Sequence, residues 1–317
     1  MKIVVIGGSG HIGTFLIPRL IEAGHDVTIV SRHKSFRYDI NAALTNVRWE
    51  QLDRSQLEKE GVFGKAIQAL APEIVIDLIC FNPESARQLV TALQDQIVHF
   101  LHCGTAWVHG HKVETPSEES HPRRPLGEYG IQKAAVEDYL LNQLDQQRFP
   151  VTVLHPGHIV GPGWVPLNPI GNFNREVFSR LASGREVVMP HLGLETSHHV
   201  HADDVAAGFM QAITHKKKAV GESFHLLSEK ALTWRGYAEA MAEWYGQRAN
   251  LRFVTLEEFR QSMSEQEALC SLEHLVHSTS GSIEKARRLL NYEPRYTSLK
   301  AIQESLSWEE NRTWAVK

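Results

Sequence analysis

Within its first residues the chain runs Lys2-Ile3-Val4-Val5-Ile6, breaks into Gly7-Gly8-Ser9-Gly10-His11-Ile12-Gly13, and resumes as an apolar helical pattern. No other feature limits the fold so tightly. Glycines at 7, 10 and 13 suit a tight turn, close approach of backbone to a pyrophosphate, and close packing of helix on strand. The helix start beyond them offers amide donors and the positive end of its dipole to that anion. A glycine string alone is weak; its place between a strand and a helix gives it meaning. Gly7, Ser9, Gly10, His11, Ile12 and Gly13 are therefore candidate dinucleotide-binding residues.

Short apolar runs alternate with helical patterns through the first half. Ile3–Ile6, Val27–Val30, Val47–Glu50, Ile74–Leu78, Val98–His102 and Val151–Leu154 read as strands, most of them nearly continuous apolar runs that suit burial on both faces. His11–Ala23 reads as a helix stopped by Gly24, with a local kink expected at Pro18. The alternation implies parallel crossover units and an α/β fold with a doubly wound parallel sheet. After about residue 160 the regularity fades, and Pro156–Gly171 is loop by composition. Thr233, Thr255 with Glu258, and Ser282 read as helix caps, and Lys216–Lys218 as a solvated helix end. The expected organisation is a dinucleotide-binding domain over 1–163, rejoined by about 198–228. A smaller C-terminal substrate lobe would come from 164–197 and 229–317.

Composition excludes other classes. Hydrophobic residues at 42% and charged residues at 22% describe a folded globular chain. A net charge of −4 creates no overall field toward nucleic acid or an anionic membrane, so neither is an expected partner. The longest stretch without Asp, Glu, Lys or Arg, Phe149 to Asn174, is broken by prolines and glycines and is no membrane span. Ile3–Ile6 is too short for a signal-peptide core, so the fold is expected to start at residue 1, in the cytoplasm. Three cysteines at wide spacing (Cys80, Cys103, Cys270) form no disulfide framework or zinc spacing, and fit a reducing compartment.

Cofactor choice is readable at the second strand, which ends Val30-Ser31-Arg32-His33-Lys34. An acid near Ser31 would accept from a ribose 2′-hydroxyl, but none is present. Arg32 is placed to grip a 2′-phosphate with paired N–H donors, with Lys34 adding charge, so NADP is favoured over NAD. Asp53 is placed either to accept from the adenine amino group or to cap the next helix.

Tyr129-Gly130-Ile131-Gln132-Lys133 puts a tyrosine and a lysine on one helix face. A free phenol near pKa 10 is a poor acid or base at neutral pH. A neighbouring ammonium would lower that value, as general acid–base chemistry requires. Thr105 is placed to donate a hydrogen bond to a substrate oxygen beside Tyr129. The same spacing recurs at Tyr296 and Lys300, without a glycine loop or a hydroxyl-bearing strand ahead of it. Context singles out Thr105, Tyr129 and Lys133 as the catalytic candidates.

Taken in order, these motifs resemble an extended short-chain dehydrogenase/reductase of the NAD(P)-dependent epimerase/dehydratase superfamily. Gly7-x-x-Gly10-x-x-Gly13 is similar to its glycine motif. His102-Cys103-Gly104-Thr105-Ala106-Trp107-Val108-His109-Gly110 resembles its Ser-Ser-Ser-Ala-Thr-Val-Tyr-Gly stretch. His155-Pro156-Gly157-His158-Ile159-Val160-Gly161-Pro162 resembles its Arg-Pro-x-Asn-Val-Tyr-Gly-Pro loop, and His199–Ala206 its Phe-Val-His-Val-Asp-Asp-Val-Ala segment. The resemblance implies a Rossmann-like fold with the site in the cleft between sheet and lobe. It also implies Thr105, Tyr129 and Lys133 as the catalytic set, with Lys133 holding the cofactor ribose. Ile79, Cys80, Pro156 and His158 would lie near the cofactor. A homodimer through a helix pair is common in the family.

Departures carry as much information. Dehydratases of the family bear an Asp-Glu pair after the threonine; here Ala106 and Trp107 stand there, which disfavours dehydration. Ser197 and His155 replace arginines, which weakens a nucleotide-sugar assignment. Asp77-Leu78-Ile79-Cys80-Phe81 replaces a small-residue step and, with Asp53-Arg54, resembles atypical branches that include chloroplast RNA-associated members. Eighteen histidines include His198-His199-x-His201. An extended backbone puts His198 on the opposite face from the other two, and His201, Asp203 and Asp204 read as structural turn residues, so no metal is expected there. His99, His102, His109 and His111 read as packing or hydrogen-bonded residues.

The expected chemistry is hydride transfer at a carbonyl or secondary alcohol of a small molecule, with Tyr129 exchanging the proton. A sugar or nucleotide-sugar epimerase with tightly held cofactor is the first alternative. A non-catalytic dinucleotide-binding protein, with an RNA association, is the second.

Overall fold

Fully parallel pairing organises the centre of the molecule, a computed structural model that describes residues 1–36 and 47–315, with side chains through 308. The domain ranges 1–163 and 229–317 thus run across 37–46 and 316–317, which lie outside the described residues. Six strands come from the first half of the chain: β1 (Lys2–Ile6), β2 (Asp26–Ser31), β3 (Arg48–Gln51), β4 (Ile74–Asp77), β5 (His99–Cys103) and β6 (Val151–Pro156). With Ser223–Leu226 they form one seven-stranded sheet in the order Ser223–Leu226, β6, β5, β4, β1, β2, β3. Each of the six lies within two residues of its expected bounds.

The seventh strand was not expected from the sequence. Ser223-Phe224-His225-Leu226 alternates polar and apolar residues, yet all four are buried. Its polar side is satisfied internally: Arg123 donates to Ser223 Oγ at 3.2 Å, and the His225 N–H donates to Glu119 Oε1 at 2.7 Å. A hydropathy pattern cannot anticipate partners a hundred residues away.

Each sheet face is covered. Helix α1 (His11–Glu22) packs with Ala202–Thr214 and Glu284–Leu290 on one side, around Ile3, Val5, Leu16, Phe209 and Phe224. Phe63–Ala69, Pro83–Leu93 and Gly127–Gln147 cover the other, around Val4, Val75, Phe100, Val136 and Val153. Full burial of each such aliphatic or aromatic side chain contributes about 1.5–3 kcal/mol. A third core, with Phe178, Met189, Trp234, Tyr237, Phe259 and Ile302, belongs to the C-terminal lobe.

Local chemistry explains the element ends. α1 continues through Pro18 as one helix rather than breaking there. It ends at Gly24, whose φ of +80° favours glycine. Gly24 donates to the Ile21 carbonyl and His25 to that of Leu20, closing the last turn. Thr233 accepts from the Gly236 N–H, and Thr255 with Glu258 forms a reciprocal capping box. Ser282 Oγ accepts from the Glu284 N–H, so that helix starts one residue later than expected. Lys216–Ala219 is a short helix of its own rather than the end of the preceding one. Among the described residues, no helix is long and apolar enough to cross a membrane.

Candidate active site

The glycine turn builds one wall of a cleft at the carboxyl ends of the strands. Gly7 has φ +80°, donates to the Val30 carbonyl and accepts from Gly10, which sets the tight turn. Gly10 lines the cleft and precedes α1 without a side-chain cap. Gly13 is the close-packing position: a Cβ there would stand 2.0 Å from the Gly8 oxygen. The cleft encloses about 750 Å³, within the range of ligand pockets, and Gly7, Ser9, Gly10, Ser31, Arg32, Asp53 and Ile79 line it. These residues fit a dinucleotide: a side-chain-free cradle at a helix start, then polar groups along β2 and β3. Arg32 is exposed beside Ser31. Asp53 caps helix Arg54–Lys59 by accepting from the Gln56 N–H at 3.2 Å, and it also lines the cleft.

His11, Ile12, Gly13, Cys80, Lys133, Pro156 and His158 do not line this cleft. Ile12 and Gly13 are buried in the first turn of α1, where they contribute backbone and packing. His11 stacks on Trp164, with ring centroids 5.2 Å apart. Cys80 is buried, and burial pushes its thiol up to about 12. Ile79 crowds the glycine turn, since a Cβ on Gly7 would come within 2.7 Å of its Cγ2.

Sequence reasoning missed the floor of this cleft. Arg54, 8% exposed, donates to Asp77 Oδ1 at 2.8 Å and to Glu58 Oε1 at 2.6 Å, and packs over the Phe63 ring. Asp77 is fully buried at the end of β4 and also accepts from the Ile79 N–H. Ser85 donates to the far oxygen of Glu58. The signal available was an acid inside the apolar run Ile74–Leu78 together with an arginine directly after Asp53.

Thr105, Tyr129 and Lys133 converge at the end of β5. Thr105 is buried ahead of the turn Ala106–His109 and accepts from the Trp107 N–H at 3.3 Å. Thr105 stands beside the Tyr129 hydroxyl, close enough to favour its ionised form. Tyr129 is 41% exposed. Lys133 is buried, and its Nζ donates to the carbonyls of Cys80 (2.9 Å) and Cys103 (2.5 Å), with His102 Nε2 at 3.3 Å. One expectation is corrected here. Burial pushes the Tyr129 phenol up to about 12, the Cys103 thiol adds to this, and the Thr105 hydrogen bond opposes it. Lys133 does not bring the phenol down, because its ammonium is turned to the strand-end carbonyls.

Beyond Tyr129 the wall is aromatic. Trp107 stacks on His277 at 3.9 Å and meets Tyr129 edge-on at 5.9 Å and His158 at 6.0 Å. His158 lies 4.9 Å from His274, and burial with the neighbouring imidazoles of His274 and His199 holds it well below its usual value. His274 and His277 sit on one face of helix Glu265–His277, so the lobe delivers part of this wall. Spacing marks them as helix neighbours, but nothing in the sequence says which face meets Trp107.

Other singled-out residues are structural in geometry. Ser197 is buried in the short pair Thr196–Ser197 with Leu232–Thr233. His155 is buried 3.2 Å from Glu137. His201 caps Ala202–Thr214, and Asp203 pairs with Arg19 and Arg295. Asp204 accepts from the N–H groups of Arg295 and Tyr296. Tyr296 stacks on His201 rather than sharing a helix face with Lys300, whose helix begins at Ser298. His198 and His199 bond to the Ser228 and Leu167 carbonyls respectively.

Comparison with known proteins identifies the fold and the family. A curated relative, chloroplast stem-loop binding protein of 41 kDa b from Arabidopsis thaliana, is 24% identical over 98% of this chain and 80% of its own length. The 2'-dehydrokanamycin reductase of Streptomyces kanamyceticus is 26% identical over 85% of this chain and 74% of its own. Among solved structures, the UDP-glucose 4-epimerase of Thermotoga maritima superposes with a TM-score of 0.75 at 20% identity, covering 99% of this chain and all of that one. The family model described as NAD dependent epimerase/dehydratase family matches residues 3–226. The chain belongs to the NAD-dependent epimerase/dehydratase family.

Proposed function

We propose that the protein is an NADP(H)-linked oxidoreductase acting at a carbonyl or secondary alcohol of a small molecule, a sugar derivative being the class suggested by its relatives. What supports this reading is the convergence of Thr105, Tyr129 and Lys133 past the end of β5, with Lys133 bonded to the carbonyl of Cys80, the residue after Ile79 of the glycine-lined cleft. Gly7, Ser9 and Gly10 would hold the pyrophosphate, Ser31 and Arg32 the 2′-phosphorylated ribose, and Asp53 the adenine. When bound, the nicotinamide supplies or takes up the hydride. Thr105 orients the substrate oxygen. Tyr129 gives its proton to that oxygen in the reducing direction and recovers it in the other. With its value raised, Tyr129 is held in the protonated form that the reducing direction starts from. Trp107, where dehydratases carry an acid, offers an apolar face and no proton. Ser197, buried in place of an arginine, supports a substrate without a diphosphate and counts against the nucleotide-sugar epimerase.

A second reading is favoured by two observations: Lys133 already has three acceptors, and Ile79 crowds Gly7. In it the protein binds a dinucleotide without turnover, as a nucleic-acid-associated member of the family. The match to the chloroplast stem-loop binding protein supports it. Calorimetric titration with NADPH and NADH, followed by turnover over a panel of aldehydes and ketoses, separates the two. Binding with turnover supports the oxidoreductase. Binding without turnover, strengthened in Ile79→Ala, supports the second reading. Failure to bind either dinucleotide overturns both.

A further inference from the structure

Three buried imidazoles converge beside Thr105, and the chemistry proposed above uses none of them. His109 ends the turn Ala106–His109, His155 lies near the end of β6, and His225 stands in register with it on Ser223–Leu226. One ring nitrogen from each lies within 4.8 Å of the others, and none of the three is more than 1% exposed.

Their hydrogen bonding is incomplete in an informative way. His109 Nε2 and His225 Nε2 face each other at 2.8 Å, and His225 Nδ1 is 3.0 Å from the Ser282 carbonyl oxygen. A carbonyl only accepts, so the network assigns the His225 proton to Nδ1 and leaves Nε2 as a lone pair aimed at His109. Among the described residues, His109 Nδ1 and both ring nitrogens of His155 have no hydrogen-bond partner. Buried nitrogens in that state are costly and need an explanation. His155 Nε2 lies 3.2 Å from Glu137 Oε2, and Arg123 holds Glu137 at 2.7 and 3.1 Å. A carbonyl behind one imidazole and a carboxylate behind another are the supports that fix metal-ligating histidines.

The geometry points to a site for a divalent transition-metal ion, zinc foremost, ligated by His109, His155 and His225 with Glu137 behind His155. Three imidazoles suit zinc and its neighbours, and they leave a fourth position for water or carboxylate. Tetrahedral ligation at a Zn–N of about 2.0–2.1 Å spaces the nitrogens about 3.3 Å apart, so the facing Nε2 atoms need part by only about 0.5 Å. Burial keeps His109 and His225 in the neutral, ligating form. A neighbouring cavity of about 250 Å³, lined by His109, exposed His111, His121 and Glu114, provides an approach from the surface. A bound ion would clamp the turn that follows Thr105 to the edge of the sheet. The run His198-His199-x-His201 is not the converging set.

The full chain, stripped with chelator and dialysed, is titrated with Zn²⁺ calorimetrically and with Co²⁺ in the visible range. One ion per chain, the intense absorption of tetrahedral Co²⁺, and a raised melting temperature are expected. Glu137→Gln is expected to weaken binding by about 10- to 100-fold. His109→Gln and His225→Gln should weaken it further, and His199→Gln should not. Absence of stoichiometric binding overturns the site, as does a weak octahedral-type Co²⁺ spectrum or affinity unchanged in His109→Gln and His225→Gln. Should those variants fail to fold, the wild-type Co²⁺ spectrum decides alone: tetrahedral supports the site, octahedral overturns it.

Discussion

Lys133 Nζ donates to the Cys80 carbonyl at 2.9 Å, tying helix Gly127–Gln147 to the chain just past β4. A second bond reaches the Cys103 carbonyl at the end of β5, and His102 Nε2 stands third. An ammonium has three donors, so all are matched within the protein. A ribose hydroxyl bound to Lys133 must share or displace one of these acceptors. The same arrangement leaves Tyr129, one turn earlier, with its proton firmly held.

Tyr129→Phe removes only the hydroxyl that meets Thr105. Turnover is expected to fall by about 10²- to 10⁴-fold while dinucleotide affinity is nearly unchanged. Tyr296→Phe, at a ring that stacks on His201, should leave turnover intact. With the phenol near 12, the reducing direction should show no loss of rate from Tyr129 ionisation between about pH 6 and 9. Steady-state kinetics of both variants checks this; unchanged turnover in Tyr129→Phe removes the residue from the chemistry.

Much of this site was legible because its signals are local. Glycines 7, 10 and 13 act on their own turn, and most of the expected strands are short apolar runs. What stayed hidden depends on distant partners. Ser223–Leu226 looks half-polar until Glu119 and Arg123 meet its polar side. Arg54 looks like a surface residue until Asp77 and Phe63 enclose it. In the sequence Trp107 marks only the absence of an acid, whereas stacking on His277 makes it a wall. The direction of the Tyr129 shift failed for the same reason: spacing put Lys133 on its face, but spacing does not report where an ammonium points.

Arg32 is the charged side chain at the end of β2 on the cleft wall, with no acid beside Ser31. Arg32→Ala should weaken NADPH binding by about tenfold, or about 1.4 kcal/mol, and spare NADH. Calorimetric titration of wild type and variant with both dinucleotides measures the difference. Equal losses would assign Arg32 to the shared part of the molecule rather than to the 2′-phosphate.

Arg54 neutralises Asp77 in a fully buried setting, where an unpaired charge is expensive. Arg54→Met is expected to cost about 3–5 kcal/mol in urea unfolding, because Asp77 is left uncompensated. Adding Asp77→Asn removes the stranded charge and should recover part of that loss. Additive losses in the double variant would mean that the two side chains act independently.

Stability should also fall steeply with acid, for a reason spread over several histidines. His11, His99 and His199 are held down to about 3, and His198 and His201 to about 4, chiefly by burial. The unfolded chain takes protons on these residues below about pH 6.5, while the folded chain refuses them until far lower. Their contribution is therefore fully present above about 6.5 and is lost as pH falls toward 3–4. Each of the residues costs about 1.4 kcal/mol per pH unit in that window. Together they exhaust the about 5–15 kcal/mol of a typical fold within one to two units, placing acid unfolding near pH 5. Urea midpoints measured from pH 8 to 4.5 should be level above 7 and drop sharply below 6. A midpoint that stays level down to pH 5 would mean that these imidazoles take up protons in the folded protein.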